Sequence, residues 1–158
     1  MPDAATLLAV DLGLRTGLAL YGGDGRLRWY RSRHFGTPAG LRRAVHRLLG
    51  ELPDLAWIVL EGGGPLAEVW AREAQRRGVA VRRTCAEQWR AELLYPREHR
   101  NGTRAKRSAG ELARRVIDWS DARRPTSLRH DAAEAILIGL WAVLEVGWLD
   151  APPADMHG

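Results

Sequence analysis

Thr6-Leu7-Leu8-Ala9-Val10-Asp11-Leu12-Gly13 decides how the chain is read, because a carboxylate closes an otherwise apolar run just before a turn signal. Two other places repeat the motif of acid against apolar sequence. Glu61 ends the run Trp57–Leu60, and Asp131 with Glu134 opens the apolar segment Ala135–Leu144 at helical spacing. A carboxylate at the end of a buried strand is partly desolvated, and several such groups in one place repel. Proteins hold a cluster of that kind with divalent cations or shared protons. The organisation of the chain therefore decides whether these four acids meet.

Working outward from Asp11, strands come first. Thr16–Tyr21 is small and apolar, Gly22-Gly23-Asp24-Gly25 makes a hairpin connection, and Arg26–His34 alternates as a half-exposed strand does. Three strands joined by short turns form an antiparallel meander. Leu41, Val45, Leu48 and Leu49 lie at helical spacing, closed by Gly50 and Pro53. The pattern then becomes strand, helix, strand over Trp57–Leu60, Leu66–Arg77 and Gly78–Arg82, which predicts a right-handed parallel crossover. Helices are expected over Cys85–Leu94, Lys106–Trp119 and His130–Val146, with a polar connection at Tyr95–Thr103.

The expected fold is α/β: a five-stranded mixed sheet, three strands antiparallel and two parallel, with helices on both faces. Residues 1–150 make one domain and 151–158, with paired prolines, a flexible tail. If the first and fourth strands pair, Asp11 and Glu61 are neighbours. Asp131 and Glu134, three apart, share one helix face and can point into the same site. Ligands of α/β sheets collect at strand ends near a reversal of strand order.

Composition narrows the partners. The 158 residues carry a formal net charge of +5, and arginine supplies 23 of the 24 basic residues, leaving Lys106 as the only lysine. Excess cationic charge suits an anionic polymer such as nucleic acid, through counterion release, although an arginine bias also follows from base composition. Arg97, Arg100, Arg104 and Arg107 surround Lys106 in a basic loop and helix start that would flank the acids. Cys85 is alone, which excludes an intramolecular disulfide framework and a cysteine-based zinc site. No apolar run approaches the ~20 residues that span a bilayer, and Asp3 interrupts anything like a signal peptide. A cytoplasmic protein without membrane association is the expectation.

Asp11-Leu12-Gly13, the acid-ended strand at Glu61, and Arg129-His130-Asp131-Ala132-Ala133-Glu134-Ala135 together resemble the ribonuclease H-like superfamily. Within it the chain is most similar to the RuvC-type Holliday junction resolvases, in the same order from Val10 to about Trp141. The resemblance implies that Asp11, Glu61, Asp131 and Glu134 are the catalytic, metal-holding acids. They would hold two Mg²⁺ ions, with Mn²⁺ as a substitute, for phosphodiester hydrolysis leaving a 5′-phosphate and a 3′-hydroxyl. It also implies that Arg90, Arg100, Arg104, Lys106 and Arg107 contact DNA, that the protein is a homodimer, and that branched DNA such as a four-way junction is the substrate, in recombination and repair. Leu12 stands where RuvC proteins carry proline. Gly62-Gly63-Gly64-Pro65 stands where they carry an aromatic wedge.

Other readings of the same residues stay open. Asp131 with Glu134 also makes a capping box, Asp11 a turn acceptor, Glu61 a solvent-facing strand end, and His130 a neighbour of the helix start. Trp89 reads as core or as a stacking surface. At the level of the whole chain, a YqgF-type ribonuclease of ribosomal RNA maturation shares fold and acids. A sugar kinase or actin-like ATP-binding domain shares Asp-x-Gly after a strand, and a non-catalytic nucleic-acid-binding module shares the charge.

Overall fold

The computed structural model describes residues 4–13, 15–93 and 102–154, with the backbone alone over 102–107. Five strands and five helices follow one another as β1 (Thr6–Asp11), β2 (Arg15–Gly22), β3 (Leu27–His34), α1 (Pro38–Gly50), β4 (Leu55–Glu61), α2 (Gly64–Arg76), β5 (Ala80–Thr84), α3 (Ala86–Leu93), α4 (Gly102–Ser120) and α5 (His130–Glu145). The sheet order is β3-β2-β1-β4-β5. β1, β2 and β3 are antiparallel neighbours, whereas β4 and β5 run parallel to β1. The mixed α/β sheet thus agrees with the pattern read from the chain.

Local chemistry sets the turns. Gly25 takes φ +80° in the β2–β3 connection, where the Asp24 carboxylate accepts from the Arg26 amide at 3.0 Å. Thr37 caps α1 by accepting from the Gly40 amide at 3.0 Å, and Pro38 fills the first turn. Gly78 at φ +72° ends α2 in the left-handed conformation. That turn delays β5, which runs over Ala80–Thr84 rather than starting at Gly78.

The pleat sorts side chains between two cores. Leu8, Val10, Leu18, Leu20, Ile58 and Leu60 face α1 and α2, packed with Leu41, Val45, Leu49 and Trp70. Leu7, Ala9, Ala19, Tyr21 and Val59 face the opposite way, against α3, α4 and α5. Because successive strand residues alternate faces, Asp11 and Glu61 share the parity of Ala9 and Val59 and turn toward α5.

That last helix is buried at every position from Ala132 to Val143. A helix apolar all round belongs inside a protein, and this one packs on β1, β2 and α4. Two glycines let it come close. A Cβ on Gly139 would stand 2.1 Å from the Tyr21 ring, and one on Gly17 would stand 1.9 Å from the Asp131 carbonyl oxygen. The Tyr21 hydroxyl donates to the Ile136 carbonyl inside this contact. The start of α5 is therefore fixed over the ends of β1 and β2. Among the described residues, no helix is long and apolar enough to cross a membrane.

Candidate nuclease site

One row of residues crosses the whole sheet at the end where β1 and β4 finish. Asp11 pairs with Gly17 and Glu61, Gly17 with Ser32, and Glu61 with Thr84. The Leu12 amide donates to the Glu61 carbonyl at 3.1 Å, which ties the two acid-bearing strand ends together. Glycine in the middle of the row leaves room for the first turn of α5, which supplies Asp131 and Glu134.

Each acid beyond Asp11 has a defined holder. Glu61 Oε1 accepts from the indole Nε1 of the fully buried Trp89 at 3.3 Å. Asp131 Oδ2 accepts from the Ser32 hydroxyl at 2.7 Å, and its Oδ1 accepts from the Ala132 amide at 3.0 Å. The buried Glu134 pairs with the Arg90 guanidinium, and His130 Nε2 lies 3.1 Å from the same carboxylate oxygen. Arg90 in turn lies over the Trp89 ring, 5.0 Å from its centroid.

Asp11 carries the electrostatic consequence. Desolvation, a side-chain hydrogen bond with Glu61, and the negative charges of Glu61, Glu134 and Asp131 push its carboxyl up to about 9. All four acids thus act on one point. Glu73, another buried carboxylate, makes the contrast. Burial alone would raise it, but hydrogen bonds from Arg77 and His46 and the charge of Arg76 bring it below the ordinary range. Glu73 is neutralised by cations that join α1 to α2. Asp11 sits among anions and holds a proton at neutral pH instead.

The side chains as they stand are committed to protein partners. Among the described residues, no three His, Cys, Asp or Glu side chains form a ready metal-binding group. Glu134 is turned onto Arg90 and His130, and Asp131 onto Ser32. The donor set nonetheless consists of carboxylate oxygens, the ligands that hard divalent cations take.

The capping-box reading of Asp131 is corrected. Arg129 is the N-cap of α5, without a side-chain cap bond, and Asp131 lies inside the first turn. The backbone of Arg104, Lys106 and Arg107 lies at the start of α4, their side chains fall outside the described residues, and so does Arg100 altogether. Arg90, expected at a DNA backbone, is paired here with Glu134. The sequence did not single out Gly17 or Ser32, and it did not foresee the bond from Trp89 to Glu61. Gly17 left one usable signal, a glycine inside a buried strand.

No family model matches the chain, and no curated protein matches it either. Among solved structures, Thermus thermophilus RuvC in complex with Holliday junction substrate, abbreviated T. thermophilus, is similar over 90% of this chain and 96% of its own, at 15% identity and a TM-score of 0.64. A chain from the cryo-EM structure of the simian T-cell lymphotropic virus intasome with PP2A regulatory subunit B56 gamma is 12% identical. It covers 90% of this chain and 49% of its own, and its TM-score of 0.32 carries no weight. The protein has the ribonuclease H-like fold in the form taken by RuvC.

Proposed function

We propose that this protein is a metal-dependent, structure-selective endonuclease that cleaves branched DNA as a homodimer, most simply as a Holliday junction resolvase in recombination and repair. The single observation that carries the reading is the Asp11 carboxyl, held near 9 by burial and by three other acids from distant segments. A protein gains no stability from such crowding. Functional sites are where such strain is retained. Likeness of fold to a RuvC that binds a Holliday junction supports the choice of substrate.

Asp11, Glu61, Asp131 and Glu134 would hold two Mg²⁺ ions, or Mn²⁺ in their place. Such ions supply charge stabilisation to the entering and leaving oxygens of a phosphodiester. Asp11 lies between Glu61 on β4 and the acids of α5, so it is the natural shared ligand. Trp89 and Ser32 orient Glu61 and Asp131 through the hydrogen bonds described above. Glu134 would exchange Arg90 for a cation, which releases a guanidinium toward a DNA phosphate. Arg100, Arg104, Lys106 and Arg107 would position the backbone.

A labelled four-way junction incubated with Asp11→Asn and Mg²⁺ tests the reading. Cleavage is lost and junction binding survives. Cleavage at the wild-type rate removes the proposal.

A further inference from the structure

On the far side of the same sheet end lies a cavity that the phosphodiester chemistry does not use. It has a volume of about 230 Å³, and Leu12, Thr16, His34, Phe35, Leu66 and Trp70 line it. That is smaller than the ~300–1,000 Å³ typical of pockets for drug-sized ligands, and it matches a single planar ring system. Phe35 and Trp70 meet edge to face, with centroids 6.4 Å apart and planes at 70°. Leu66 is the exposed large apolar side chain among the described residues, and it sits on this cavity.

Two observations point to a ligand of mixed character. The indole Nε1–H of Trp70 is buried and has no acceptor among the described residues. A buried donor left unmatched costs roughly 1–3 kcal/mol, and a carbonyl or ring nitrogen on a ligand would match it. The second observation is position. Leu12 follows Asp11 directly and, by the alternation of the strand, turns to the opposite face. A strand lying across this end would meet carboxylates on one side and an aromatic-walled cavity on the other.

Resting on the nuclease reading above, we infer that this cavity takes one unpaired nucleobase of the substrate, next to the phosphodiester cut at Asp11. The base lies against Phe35 and between the aliphatic walls of Leu12 and Leu66. Its polar edge accepts from Trp70 Nε1. Every base has a π-face, so the packing tolerates sequence, whereas the single indole donor favours bases that present an acceptor. An unpaired base is available at a branch point, and it costs least to extrude there. The pocket thereby selects branched over continuous duplex DNA without a wedge in the Gly62-Gly63-Gly64-Pro65 loop.

The test uses the full chain with Mg²⁺ and labelled four-way junctions carrying one abasic site at successive positions around the cut. Wild-type cleavage falls on the order of 10-fold for an abasic site at one position, in keeping with the loss of one stacked base. Trp70→Phe removes the donor and keeps a ring. Phe35→Leu, at a half-buried position, removes the ring and keeps apolar bulk. Each lowers cleavage of the intact junction, and the abasic site at that position then causes little further loss, since both changes remove one interaction. Wild-type cleavage that is indifferent to every abasic position overturns the pocket and leaves the nuclease reading standing. Loss of dimerisation by either variant in sedimentation, with base sensitivity intact, overturns it in favour of a subunit contact. Absence of cleavage of any junction by the wild type overturns the nuclease reading itself, and the pocket falls with it.

Discussion

A side chain on Gly17 would collide with Asp131, because a Cβ built there stands 1.9 Å from the Asp131 carbonyl oxygen and 2.4 Å from its carbonyl carbon. Backbone cannot move aside as the end of a flexible side chain can. Gly17→Ala therefore displaces the first turn of α5 and with it two of the four acids. Overpacking of a close contact costs about 1–3 kcal/mol, and a 1 Å misplacement near chemistry costs about 100-fold in rate. The variant is expected to remain folded, with a lower Tm and junction cleavage reduced by roughly that factor. Wild-type cleavage by a folded Gly17→Ala would show that the position of α5 does not matter.

Asp11 predicts how stability varies with pH. Its carboxyl has an ordinary value of 3.8 and a folded value of about 9, so the folded chain keeps a proton that the unfolded chain gives up. The stability this group contributes is full below about 4 and is lost as pH rises through 9. Asp11→Asn carries no such proton. In EDTA, the difference in Tm between Asp11→Asn and wild type grows in favour of the variant from pH 5 to pH 8, by about 2–4 °C for each kcal/mol. A constant difference in scanning calorimetry would contradict the shift.

Metal binding must expel that proton. Calorimetric titration of Mn²⁺ into the wild type, repeated in two buffers of different ionisation enthalpy, is expected to show proton release near pH 7.5. Apparent affinity rises with pH toward 9. Asp11→Asn shows weaker binding and less release, and equal heats in both buffers for the wild type would count against the shared site.

Arg90 neutralises Glu134 from a position where its own side chain is only 26% exposed. Removing one partner of a largely buried pair costs about 3 kcal/mol. Arg90→Ala should lower the metal-free Tm, and Mn²⁺ should restore more stability to it than to wild type, because a cation can take over the vacated charge. An equal metal-induced rise in Tm would show that Glu134 is not involved.

Ser32 holds Asp131 at 2.7 Å. Ser32→Ala removes about 1 kcal/mol of hydrogen bonding. By freeing an orienting contact on a ligand, it is expected to weaken cleavage or metal affinity about 10-fold. Cleavage at wild-type metal dependence would reduce Ser32 to a packing role.

The strands were legible because their apolar runs and hairpin turns are local signals. β1 through β3, the crossover to β5 and the long last helix all fell near the residues where periodicity put them. The parity that sends Asp11 and Glu61 to one face was also legible, once the first and fourth strands were paired. Other features carry no local trace. Ser32 and Asp131 meet across 99 residues of chain, and Ser32 sits between two arginines on a strand that reads as surface. Asp131 with Glu134 matched a capping box by spacing alone, yet the backbone at Arg129 begins the helix two residues earlier. Arg90 looked like a DNA contact because pairing to a buried carboxylate on another helix cannot be read from charge.

The row Ser32–Gly17–Asp11–Glu61–Thr84 has a consequence for how this chain tolerates change over generations. A single insertion or deletion inside β1 reverses the parity of every residue after it, moving Asp11 toward Trp70 and a leucine toward α5. Folding and chemistry would then fail together. Indels in that strand are thus purged by misfolding before any loss of activity is seen, and the acid keeps its place under the protection of its apolar neighbours.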